Sequence, residues 1–139
     1  MSVQAEARVR LEDVPPEALE ELAEDLSDLR HDLGKYITFE VRFLGADPET
    51  EALRAALKTD ILQTHKRGDV CATAWQVWER MRPTQLADDA DVVRVEQSLA
   101  ALARVNLTGS RVELEEAAGL AGEVAAATRS LFKRAASLL

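Results

Sequence analysis

Leu19, Leu22, Leu26, Leu29, Leu33 and Tyr36 follow one another at alternating intervals of three and four, with polar or charged residues between them. That rhythm keeps one face of an α-helix apolar and predicts a long first helix over about residues 16–44, opened by Pro15 and Pro16, since proline suits a first helical turn. A seven-residue stripe drifts by about 20° per heptad on a straight helix, so Ile37, Val41 and Leu44 are expected to take over near the end and Glu40 to rotate out of the core.

Gly45-Ala46-Asp47-Pro48 then reads as a stop, an Asp cap and a proline in the next first turn. The helix it opens carries Leu53, Leu57 and Ile61 on one face and closes at Lys66-Arg67-Gly68. Asp69 is placed to cap a shorter helix bearing Cys71, Trp75, Trp78 and Met81, which Pro83 ends. A polar link to about Asp89 leads to a helix with Val92, Val95, Leu99 and Leu102 inside, stopped by Asn106-Leu107-Thr108-Gly109. Ser110-Arg111-Val112-Glu113 is a capping box, in which the Ser and Glu side chains satisfy each other's helix-end amides. From there Leu114, Ala117, Ala121, Val124, Thr128, Leu131, Ala135 and Leu138 repeat the three-four spacing. Short connections favour antiparallel neighbours, so the expected fold is an all-α antiparallel helical bundle of four main helices plus a shorter Trp-bearing helix. Residues 1–14 lack a helical period: Ala7, Val9 and Leu11 alternate with charged residues, and the segment is expected to be a flexible arm preceding a single domain over 15–139.

Composition narrows the function. Hydrophobic residues are 47% of the 139 but aromatics only 4%, and 25 Asp and Glu against 17 Lys and Arg leave a formal charge of -8. Such a field repels phosphate backbones and anionic lipid, so neither nucleic acid nor a membrane is an expected partner. No stretch of about 18 uncharged apolar residues occurs to span a bilayer. One cysteine, Cys71, makes no internal disulfide, and the first residues carry acids and prolines where a signal peptide has an apolar core; the expected location is the cytoplasm.

On the first helix the leucine seam places His31 near the opposite side, on a strip with Glu24, Ser27, Asp28, Gly34, Lys35 and Thr38. An exposed mid-helix imidazole is nucleophilic near neutral pH and open to a second protein, as a phosphoryl carrier must be. Gly34 clears space one turn along, at a cost of about 1 kcal/mol to the helix relative to Ala. Lys35 is placed to balance phosphoryl charge, and Asp28 to hold a ring nitrogen.

The string Arg30-His31-Asp32-Leu33-Gly34-Lys35-Tyr36-Ile37-Thr38 resembles the phosphoacceptor helix of two-component signalling proteins: the H-box of histidine kinase dimerisation domains and the phosphotransferases derived from them. Histidine-containing phosphotransfer domains are likewise helical bundles of this size, with Lys then Gly after the His where this chain has Gly34 then Lys35. The resemblance implies His31 as acceptor, Asp32 as its acidic neighbour, and a response-regulator receiver domain as partner. A kinase is not expected, since there is neither a phosphate-binding Gly-rich loop nor room for a nucleotide domain.

The competing reading is a non-catalytic helical adaptor or regulator. Trp75 and Trp78 share a helical face and are first expected in the core, with an exposed hot spot as the alternative. Gly119 and Gly122 thin the last helix, either for close approach of a neighbour or as a groove for a partner helix. Regular heptads leave homodimerisation open. No cofactor is expected and no metal: the only imidazoles are His31 and His65, and His65 suits a helix end.

Overall fold

The structure, a computed structural model, describes residues 9–42, 47–64, 70–106 and 110–138. Among them are five α-helices and no strand: α1 (Pro16–Arg42), α2 (Pro48–Thr64), α3 (Val70–Met81), α4 (Ala90–Arg104) and α5 (Arg111–Ser137). The proposed stops at Gly45 and Gly109, the closure from His65 to Asp69, and Phe43 and Leu44 lie outside the described residues, as do the side chains of Glu40, Val41 and Cys71.

Local chemistry starts the helices where the caps predict. The Thr50 amide donates to Asp47 Oδ1 at 2.9 Å, and those hydrogen bonds hold the Asp47 carboxyl below its ordinary range. Ser110 and Glu113 close their capping box: the Glu113 amide donates to Ser110 Oγ at 3.4 Å and the Ser110 amide to Glu113 Oε1 at 3.4 Å. The start of α4 is capped by Asp89, which accepts from the Asp91 amide at 3.0 Å.

Packing is centred on α5. Its interface with α1 is the most extensive in the molecule and its interface with α4 the next, whereas α2 packs on α1, and α3 on α4 with a lighter contact to α1. Along α5 the buried positions are small at Ala117, Ala121, Ala125, Ala127 and Ala135, between the larger Leu114, Val124 and Leu131, and this face packs on α1 and α4, whose buried positions are mostly leucine and valine. Contacts pair in opposing order: Ser27 with Arg129 and Arg30 with Gly122 across α1 and α5; Asp91 with Ser130 and Arg94 with Glu123 across α4 and α5. Thr128 is the one buried polar residue among those described, and its hydroxyl donates to the Val124 carbonyl at 2.6 Å, so that the hydroxyl is paired inside its own helix.

An ionic staple ties the start of α4 to the end of α5. Arg134 donates to both Asp89 oxygens at 2.9 Å and to Asp91 Oδ2 at 3.2 Å, while the Ser130 hydroxyl donates to Asp91 at 2.7 Å. The hydrogen bonds from Arg134 hold the Asp89 carboxyl below its ordinary value.

Three expectations change. Residues 9–14, expected within a flexible arm, are docked: Leu11 and Val14 are buried, the Val9 amide donates to Thr84 Oγ1 at 2.6 Å, and the Gln85 amide donates to the Val9 carbonyl at 3.0 Å. The Val9 backbone thus finds partners in the α3–α4 link and the Leu11–Asp13 turn lies against α5, while residues 1–8, Ala7 among them, lie outside the described residues. Leu53, expected on the packed face of α2, is 63% exposed, because α2 meets the core mainly through Ile61 with Leu57 beside it. Leu138 falls past the last packed turn of α5 and is exposed.

Truncating the wholly buried Leu26 to Ala should lower unfolding free energy in urea by about 2–5 kcal/mol, and Leu53→Ala should stay within about 0.5. The staple predicts a pH effect. A carboxyl with a depressed folded pKa adds stability above its unfolded value of 3.8, and this is lost as pH falls through the folded value. Asp89→Asn, which keeps a capping side chain, should therefore melt below the parent at neutral pH, the gap closing as acid protonates Asp89.

Candidate functional site

Each residue of α1 advances about 100° around its axis, which sorts the helix into a core seam, a solvent pole and two flanks. The pole carries His31 with Glu24, Lys35 and Thr38, all exposed. The His31 side chain makes no hydrogen bond or ion pair with any described residue. Gly34 is half-buried one turn on, and a Cβ added there would meet nothing within 4 Å.

On one flank, Glu21, Asp25, Asp28 and Asp32 form an acidic wall at intervals of four, three and four. They line a cleft of about 350 Å³, with Ala18 and Leu22 at its α1 base and Thr64, Thr73, Ala74 and Val77 contributed by α2 and α3. Asp28 and Asp32, the two candidates for orienting the imidazole, thus sit on the cleft side of α1, and neither is brought into a hydrogen bond with His31. The spacing that makes this wall was readable in the sequence as a second heptad one residue behind the leucine seam; its apolar and threonine-bearing opposite side was not. Among the described residues no group of three or more His, Cys, Asp or Glu is arranged to hold a metal ion.

The other flank meets α5. Arg129 Nη2 donates to Ser27 Oγ at 3.0 Å. The Arg30 stem crosses Gly122 so closely that a Cβ there would lie 2.9 Å from Arg30 Cδ. Gly122 therefore accommodates a side chain rather than a neighbouring helix backbone. Gly119 is exposed with nothing within 4 Å of its Cβ direction, so close approach of a neighbouring helix does not account for it.

The tryptophans separate. Ala74, Trp78 and Met81 form the inward face of α3, and Trp78 is wholly buried, in the core as first expected, so the alternative of an exposed partner-binding residue does not hold for it. Its indole N–H has no hydrogen-bond partner among the described residues. Trp75, rotated to the edge of that face, is half-buried and packs against the core.

In comparisons with known proteins, no family model, no curated protein and no solved structure matches the chain. The chemistry of the pole therefore rests on its own geometry: an exposed imidazole on α1, with carboxyl side chains on one flank and guanidinium groups on the other.

Where a Cβ meets open space, removing a helix-interior glycine should help. Gly34→Ala and Gly119→Ala should each raise stability by up to about 1 kcal/mol in chemical denaturation, and Gly122→Ala by less, because the new methyl must displace the Arg30 stem.

Proposed function

We propose that the protein is a histidine phosphotransfer protein of the two-component signalling kind, which accepts a phosphoryl group on His31 from the aspartate of a receiver domain and passes it on. The observation that carries this reading is the solvent-exposed, unpaired imidazole at the middle of the long helix α1, in the local sequence that resembles an H-box. A neutral ring nitrogen attacks phosphorus, the aspartate carboxylate leaves with the electron pair, and the other ring nitrogen keeps its proton. Lys35, one turn beyond, leans back toward His31 because helical side chains tilt to the N-terminus, and it offers a cation to the transferring group. Asp32 is the acidic neighbour, while Asp28, Gly34 and Thr38 belong to the surface a receiver meets. In this reading α1, α2, α4 and α5 are the main antiparallel bundle, α3 lies over it as the fifth helix, and the protein works in the cytoplasm.

A second reading, a helical adaptor, draws support from α2. Its outward residues include Ala52, Ala55 and Ala56 beside the exposed Leu53, a patch able to meet a partner or a second copy.

The test is intact-mass analysis after incubation with phosphoramidate or with several phosphorylated receivers. An acid-labile phosphoryl group mapped to His31 and missing from a folded His31→Ala variant is expected. No label from any donor on folded protein overturns phosphotransfer, and partner capture that is lost on Leu53→Glu but not on His31→Ala would establish the adaptor.

A further inference from the structure

We propose that Arg129, reaching across from α5, is the residue that holds the phosphoryl oxygens at His31; this rests on the phosphotransfer reading.

The chain carries a formal charge of -8, and most of its interacting arginines are occupied by carboxylates, as in Arg82 with Glu96, Arg94 with Glu123 and Arg134 with Asp89. Arg129 differs. Its hydrogen bond goes to a neutral hydroxyl, that of Ser27, and it makes no ion pair among the described residues. A guanidinium has five N–H donors in a planar fork, and Ser27 takes one, so the fork retains donors for an anion.

Ser27 lies one turn before His31 on the same side of α1. Helical side chains lean toward the N-terminus, so the imidazole of His31 covers the surface over the turn that contains Ser27. The anchor at Ser27 therefore brings the guanidinium from α5 to the patch that the imidazole covers from α1. Lys35 has no such anchor among the described residues, and its ammonium is a single point charge on a flexible stem. The opposite flank of α1 carries carboxylates, Glu21 and Asp28 among them, and is less favourable to an anionic donor than the α5 flank. An anionic donor is thus favoured to approach over the α1–α5 seam, where Gly34 leaves open space and the Arg30 stem lies across Gly122.

In the transfer the imidazole lone pair forms the P–N bond while the P–O bond to the donor aspartate breaks and that carboxylate leaves with the electrons. Arg129 exchanges no proton; its N–H groups take the non-bridging oxygens, which carry more charge in transit than in the donor.

The experiment follows the rate of phosphoramidate labelling at His31 in the full chain, beside the rate of modification by diethyl pyrocarbonate, a neutral reagent for the same imidazole. Arg129→Gln should slow phosphoryl labelling about tenfold, Ser27→Ala should slow it less, and Arg129→Lys should retain part of the rate, with the neutral reagent unaffected in all three. Labelling of Arg129→Gln at the parent rate overturns the role of Arg129 and leaves phosphotransfer standing. Equal slowing of both reagents also overturns it, since that reports altered access. If the unaltered protein takes no label at His31 from phosphoramidate or from receivers, the phosphotransfer reading falls and this inference with it.

Discussion

The small-residue face of α5 is the constraint on which the rest of the structure depends. Alanines at 117, 121, 125, 127 and 135 let the leucine ridges of α1 and α4 settle against it on two sides, so one helix serves as the shared wall of both major interfaces. Alanine costs no side-chain entropy on burial and is the best helix former, so a 27-residue helix built this way is stiff as well as thin. Everything else attaches to this three-helix centre: α3 by Trp78 and Met81, α2 by Ile61, and the Val9–Val14 segment by Leu11, Val14 and the backbone bonds at Thr84 and Gln85.

That arrangement determines what α1 can offer to solvent. Packed along one seam for most of its length, the helix keeps a continuous pole exposed, and the bodies on either side give its two flanks opposite character. Toward α2 and α3 the flank is a carboxylate wall over a cleft; toward α5 it is guanidinium groups lying on glycine and serine. His31 stands at the boundary between them. An imidazole so placed is open to solvent without any opening of the core, between two flanks of different charge.

Polar groups at the α4–α5 junction do a different task. Arg134 bridges Asp89 and Asp91 at the point where α4 begins, so the carboxylate that caps α4 also receives the cation from the end of α5. One side chain thus sets where a helix begins and which neighbour it begins beside. The geometry is partly exposed and its stabilisation is modest, and it lies at one end of the α4–α5 interface.

Much of this was legible along the chain, because helix formation here is a local matter. The leucine spacing of α1, the capping box of Ser110 and Glu113, the Asp47 cap and the stop at Pro83 all act within a turn or two, so the helices, their inward faces and the outward position of His31 follow from order and period alone. Contacts that join distant parts of the chain were decided by the tertiary structure. Val9, Leu11 and Val14 dock through partners far along the chain, a hydroxyl 75 residues away for the Val9 amide and the core for the Leu11 and Val14 side chains. Whether Leu53 is covered depends on how much of α2 the core can reach, and which tryptophan is buried depends on the rotation of α3 against α4. Gly122 and Ser27 acquire meaning only when α5 is laid beside α1, since a glycine that seats an arginine and a serine that anchors one are indistinguishable in sequence from residues that do neither. Periodicity reports which side of a helix turns inward; only packing determines what stands on the other side.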